Sequence, residues 1–239
     1  MRATTPSATA GRKRYIERCM LALVAFMVAT AARAVDSGMP ESPCGELDTG
    51  YSIDDSVRGS LGTSPPISAC VDVLRAPHGS RRRLRIFVGG KQVFGNDVIA
   101  LGPDDGGIQG DPFQPLTIKH GSLIVQNSGG GGRLRWSETW RLTIRNKQWV
   151  LAGWDEYGYD MYGGTASGAK ESITSINALT GAIHDDGTDY PGDGEPNIST
   201  HYACKLPAKW VSPAASKIEE IRNRSFKCGK DIGKLIKIN

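Results

Sequence analysis

The residues through which this chain could do chemistry are carboxylates, and the sharpest pair is Glu138 with Asp155. Around Glu138 the sequence alternates. Leu134, Trp136, Trp140, Leu142 and Ile144 fall on one side, and Arg133, Arg135, Ser137, Thr139, Arg141, Thr143 and Arg145 on the other. Only Glu138 interrupts the apolar row. Period two over this length predicts a half-buried antiparallel strand. Asn146-Lys147 predicts a two-residue turn, with 148–157 as the returning strand. Simple pairing from that turn sets Ile144 against Trp149, Leu142 against Leu151, Trp140 against Gly153, Glu138 against Asp155 and Trp136 against Tyr157.

Like charges directly opposed destabilise a sheet. The pair therefore needs a shared proton, a cation or an arginine from elsewhere. Next to Trp136 and Trp140, two carboxyls could bind a sugar, or act on one as acid and base. The plainer alternative is that both acids stand in water at the sheet rim, or that a bulge shifts the register. Trp136, Trp140, Trp154 and Tyr157 are the candidate binding residues of this strand pair.

A second set is Asp185, Asp189 and Asp193, in a stretch (185–200) that reads as an acidic loop also holding Asp186 and Glu195. Oxygen ligands at short spacing suggest calcium. The spacing does not fit an EF-hand loop, and a solvated loop is the alternative. The glycines at 129–132 lack the Gly-Lys-Ser/Thr ending of a phosphate loop, and read instead as a flexible connection that begins at Asn127. There is no G-x-S-x-G and no H-E-x-x-H, and His78, His120, His184 and His201 are scattered. No cofactor is expected.

The elements that must position these residues begin with a leader. Arg2, Arg12, Lys13, Arg14 and Arg18 precede an uncharged run at 20–32, and Ala32-Arg33-Ala34 follows. This order predicts a cleavable signal peptide over 1–34 and a mature chain outside the cytoplasm, periplasmic or secreted. The apolar run is shorter than the about 20 residues that a membrane span needs, so no span is expected after cleavage.

The leader also distorts the charge. The chain holds 29 Lys+Arg and 25 Asp+Glu, a net of +4. Residues 1–34 take six bases and one acid of these, leaving the mature chain at −1. That excludes a nucleic-acid partner on grounds of overall basicity. Residues 205–239 carry nine bases and three acids, a basic extension that could lie on an acidic partner, on anionic lipid or on the chain's own acidic body.

Four cysteines follow the leader: Cys44, Cys70, Cys204 and Cys228. An even number in an exported chain predicts two disulfides, and proximity favours Cys44–Cys70 and Cys204–Cys228. No two are spaced as zinc ligands.

The mature chain divides into an irregular arm at 35–66, tied down by Cys44, a β-rich domain at 67–204 and the basic extension at 205–239. His120-Gly121 predicts a second tight hairpin, Ala178-Leu179-Thr180-Gly181 a further turn, and 216–222 a short helix with Ile218 and Ile221 on one side. The expected fold is mainly β: an antiparallel meander, sandwich-like, with a short C-terminal helix and disulfide braces.

Asp111-Pro112-Phe113, Gly121-Ser122-Leu123-Ile124-Val125, Arg135-Trp136, the run from Asn146 through Trp149, Gly153 and Trp154 to Asp155, and Asn177-Ala178-Leu179-Thr180-Gly181 together form a recognisable series. It resembles exported bacterial proteins of uncharacterised function with a "DPF…G.L.V…GG…W…W.L.G.D…N.LTG" β-meander. The similarity spans residues 111–184, and its motifs describe hairpins and packing, with no catalytic residue to carry over.

The resulting expectation is an exported, non-catalytic binding module with a protein or glycan partner in the cell envelope, in the manner of an envelope inhibitor or immunity-type protein. The alternatives are an envelope glycan hydrolase using Glu138 and Asp155, and a structural envelope component.

Overall fold

Tight turns with two residues at positive φ dictate the topology. His120-Gly121 (φ 51° and 72°), Asn146-Lys147 (51° and 63°) and Gly89-Gly90 (56° and 76°) each fold the chain back on itself. Such turns match the right-handed twist of the strands they join, so each closes a hairpin. The computed structural model describes residues 43–165, 168–192, 194–224 and 226–228. The predicted leader, 1–34, lies outside the described residues.

The result is two antiparallel meanders. The first contains β1 (Ser52–Leu61), β2 (Ile67–Arg75), β3 (Arg82–Val88) and β4 (Lys91–Asn96), paired in chain order. The second contains β5 (Thr117–Lys119), β6 (Ser122–Gly131), β7 (Leu134–Arg145), β8 (Gln148–Asp160), β9 (Ala169–Asn177), β10 (Ala182–Tyr190) and β11 (Ile198–Lys205), again in chain order. One short α-helix, α1 (Ile218–Arg222), follows and buries Ile218 and Ile221 as the spacing predicts. The protein is mainly β, with both disulfides paired as proximity favoured, Cys44–Cys70 and Cys204–Cys228.

Both sheets contribute to one core. Val71, Val73, Leu84 and Ile86 from the first join Leu123, Val125, Trp140, Leu142, Leu151 and Trp154 from the second. On the other face of the first sheet, Asp72 and Arg85 stand opposite each other in register and are both buried. Residues 44–46 supply the rest of their bonding: Cys44 N donates to Asp72 (3.1 Å) and Arg85 Nη1 donates to Glu46 O (2.7 Å). The Cys44 disulfide holds this cover in place.

Three local expectations are corrected. Residues 52–61, read as part of an irregular arm, form β1, because Val57 and Leu61 pack on the core while Asp54 and Asp55 find partners in Arg75 and the Leu116 amide. Residues 127–131, read as a flexible connection, complete β6. Their glycines are needed there: a Cβ on Gly129 would come within 2.7 Å of Gly106 O, so the segment Pro103–Gln109 can lie directly on the strand. Much of the predicted acidic loop is β10, whose aspartates alternate between the two faces of the sheet.

Candidate functional site

A single extra residue in β8 sets the geometry of the site. From the Asn146-Lys147 turn the pairing runs as expected, Ile144 with Trp149 and Leu142 with Leu151. Arg141 then pairs with Gly153, so Ala152 is bulged and the register moves by one. Beyond the bulge Trp140 faces Trp154, Glu138 faces Glu156, Ser137 faces Tyr157 and Trp136 faces Gly158.

This overturns the Glu138/Asp155 pair. Asp155 is on the opposite face, where Arg141 pairs with it and Ser175 Oγ donates to it (2.8 Å). An acid does meet Glu138, but it is Glu156. The two carboxyls belong to a polar row that crosses the inner face of the sheet in register: Asn127, Glu138, Glu156, Thr174, Asp185 and Tyr202. Next to it runs the apolar row of the core, Val125, Trp140, Trp154, Ile176, Ile183 and Cys204. On the other side lies a row of small residues, Gly158, Ser172, Gly187 and Thr200, with Trp136 at its end.

The compensation required for opposed acids comes from the C-terminal segment. Arg222, the last residue of α1, pairs with Glu138 and also donates to the carbonyls of Val98 and Ile99. Asn127 Nδ2 donates to Glu138 Oε1 (2.8 Å) and to Ile99 O (2.8 Å). Glu138 is thus engaged by a guanidinium and an amide. Glu156 has no arginine partner among the described residues. It accepts from Trp154 Nε1 (3.2 Å), and its pKa is raised above the ordinary value, chiefly by burial, with the charges of Glu138 and Asp185 adding to the effect and Lys227 opposing it. The opposed acids are therefore unlike: Glu138 has a countercharge in Arg222, and Glu156 has its pKa raised by burial.

Residues 222–224 form a roof over this place. Beneath them is a cleft of about 460 Å³, walled by Trp136, Glu138, Trp140 and Glu156 on the sheet side and by Arg222 and Arg224 on the other. The Arg222 guanidinium lies over the Trp140 ring, 5.3 Å from its centroid. Phe226 continues the roof edge-on to Trp154 at 5.5 Å, and Cys228 ties it to Cys204 on β11. Past the cleft the small-residue strip has no cover among the described residues. A Cβ on Gly158 would meet only the Ser172 hydroxyl, and one on Gly187 only Thr200 Oγ1 and the backbone of Glu171.

The predicted binding residues separate. Trp136 is half-buried and borders the cleft. Trp140 and Trp154 are buried at 1% and 0%, stacked on each other at 5.9 Å, so they are core and not exposed surface. The bulge puts Trp154 inward where simple pairing put Gly153. Tyr157 consequently turns to the outer face, where Glu171 shares a bond with it and also accepts from Tyr190 Oη (2.7 Å). Its phenol is shifted upward, first by burial and then by that carboxylate.

The calcium set is not assembled. Asp185 and Asp189 are four residues apart on one face of β10, about 13 Å at ordinary strand rise. Asp185 accepts from Thr174 Oγ1 (2.9 Å) and Asp189 from the Thr165 amide (2.9 Å), while Asp193 lies outside the described residues. Among the described residues no three His, Cys, Asp or Glu side chains converge to hold a metal ion.

Sequence reasoning missed Glu156 and Arg222. Glu156 was hidden by the bulge. The only signal for Arg222 was the requirement that Glu138 find a countercharge, which does not say from where. Comparisons with known proteins add no further assignment: no family model, no curated protein and no solved structure matches this chain.

Proposed function

We propose that this protein is exported to the periplasm or beyond and acts there as a non-catalytic binding module for a protein or glycan partner of the cell envelope. The observation that carries this reading is the inner-face cleft and the open strip beside it. A row of small residues with no covering layer among the described residues, next to paired carboxyls and the half-buried Trp136, leaves room for a partner. The two disulfides and the leader pattern favour an oxidising compartment, and no helix among the described residues is long and apolar enough to cross a membrane. Filling the strip tests the reading. Gly158→Trp should abolish capture of the partner from envelope extract and leave thermal stability nearly unchanged. Capture at full strength by the filled variant, or no capture by the parent, counts against it.

The opposed carboxyls favour a second reading. Directly facing residues in adjacent strands stand about 4.5–5.5 Å apart at Cβ, which lets two carboxyls approach the about 5–5.5 Å separation of retaining glycosidases. Here Glu156, whose pKa burial raises, would be the acid and Glu138 its partner. The engagement of Glu138 by Arg222 and Asn127 favours binding over hydrolysis. Turnover of peptidoglycan or polysaccharide by the parent, lost in Glu156→Gln, would reverse that preference.

A further inference from the structure

On the outer face of the second sheet two tyrosines reach for one carboxylate. Glu171 accepts from Tyr190 Oη (2.7 Å) and also bonds the Tyr157 phenol. The register fixes where the three stand. Tyr157 on β8 faces Ile173 and Tyr190 on β10 faces Ala169, so Glu171 on β9 lies midway between them. Two strand spacings across and four residues along separate the tyrosine backbones by about 16 Å. Over that span both side chains meet at one central carboxylate only by lying along the sheet toward each other. Thr188, opposite Glu171, also bonds the Tyr190 phenol and fixes that ring further.

This surface is open to solvent. Tyr157, Tyr159 and Tyr190 are partly exposed, and Ile173 is 42% exposed. Tyr159 faces Glu171 and adds a third ring beside the diagonal. Single apolar side chains on a surface need no explanation, whereas a contiguous group marks a contact site. A carboxylate has about four lone-pair sites. The two phenols occupy part of that capacity, so Glu171 can accept from further donors. Asp186 and Asp155, on the same face, are already paired with His201 and Arg141. The face thus presents ring, acceptor and ring in a line. Aromatic rings suit the apolar C–H faces of pyranoses, and the acceptor between them suits their hydroxyls. An acidic chain would meet Glu171 as a like charge. A β-1,4-linked chain of pyranoses is a flat ribbon, the shape that a shallow line of rings accommodates.

We infer that the outer face binds a neutral, β-1,4-linked glycan chain laid along the Tyr157–Glu171–Tyr190 diagonal. This goes beyond the binding-module reading, because the surface is on the side of the sheet opposite the cleft and stands without it. Calorimetric titration of the exported, purified protein with cellohexaose and chitohexaose should show saturable binding of at least one. Glucose, which covers one ring only, should bind at least about tenfold more weakly, and so should β-1,4-linked hexaglucuronate, which brings charge to Glu171. Tyr157→Ala and Tyr190→Ala should each weaken the neutral chain about tenfold, the loss of an aromatic anchor, with melting temperature nearly unchanged. Tyr157→Phe keeps the ring and should lose less. Glu171→Gln should narrow the gap between cellohexaose and hexaglucuronate. Gly158→Trp, on the other face, should leave glycan affinity as it was. No saturable binding of either neutral chain, hexaglucuronate as tight as cellohexaose, full affinity in both alanine variants, or binding lost in Gly158→Trp overturns the inference. If the parent still captures a partner from envelope extract after such a result, the binding-module reading stands.

Discussion

Arg222 Nη2 closes on Glu138 Oε1 across 84 residues of chain, joining the last turn of α1 to the middle of β7. The side chains are 21% and 14% exposed, so the contact is largely out of water without being fully desolvated. Breaking a fully buried pair costs about 3–5 kcal/mol; Arg222→Ala should cost somewhat less, about 2–3 kcal/mol. Glu138→Gln in the same background should recover part of that loss. Urea unfolding of the two single variants and the double variant measures the coupling, and additive losses would contradict it.

Glu156 predicts an inverted pH dependence. Its folded pKa lies above the ordinary glutamate value of 4.5, so between those two values the folded state holds more protons than the unfolded one. Its contribution to stability is then greatest at acidic pH and declines as pH rises through that window. Glu156→Gln removes the decline. The variant should gain melting temperature over the parent at pH 7 and show little difference at pH 4. A gain of the same size at both values would contradict the shift.

Asp111 gives the opposite sign. Its hydrogen bond to Arg82 lowers its pKa below the ordinary 3.8, despite some burial. Its contribution is present above 3.8 and is lost as pH falls through the lowered value. Asp111→Asn should therefore be destabilising at pH 7, with the gap to the parent closing toward pH 2. Thermal scans across that range follow both carboxyls at once.

Arg85 and Asp72 form the most deeply buried pair among the described residues, with side chains 4% and 0% exposed. Arg85→Met strands a buried carboxylate and should cost about 3–5 kcal/mol. Replacing both partners, Arg85→Met with Asp72→Leu, should restore most of the stability, since apolar substitutes for a buried pair are often neutral or better. A double variant as unstable as the single would show that the covering segment at 44–46 depends on these charges.

The Cys204–Cys228 bond closes the roof of the cleft. Cys204→Ser with Cys228→Ser should lower stability by about 2–4 kcal/mol. It should also expose Arg224 and Lys227 to trypsin under native conditions, because beyond Arg222 the segment is then held by packing on Trp154 and Trp210 without a covalent tie. Limited proteolysis followed by mass spectrometry reads this directly, and an uncut segment would mean that packing suffices.

Much of the fold was legible because local chemistry decided it. Asn146-Lys147 and His120-Gly121 announced their hairpins, alternation announced β7, and the spacing of the cysteines announced their pairing. β1 was not legible, since its apolar positions, Ile53, Val57 and Leu61, are too few to show a period of two among serines and aspartates. The β6 glycines looked like a linker because their role is to let another segment of backbone lie on them, a relation invisible along the chain. The candidate site was half legible. Glu138 stood out as the one charge in an apolar row, and its need for a countercharge followed. Its true neighbour depended on a bulge for which the isolated strand glycine Gly153 was a cue, without saying which residue would be the extra one.

The bulged Ala152 has a wider reach than the pair it rearranges. Strand β9 takes its pairing from the distal half of β8, β10 from β9, and β11 from β10. One surplus residue therefore sets the phase of three further strands, deciding which of their side chains see the core and which see solvent. Pairing it regularly with Arg141 would turn Asp155 inward and Trp154 outward, and the choice would propagate to the edge of the sheet, whereas deleting it would leave the observed register in place. The distal half of this protein is in that sense written in a shifted reading frame, with a single alanine as its punctuation.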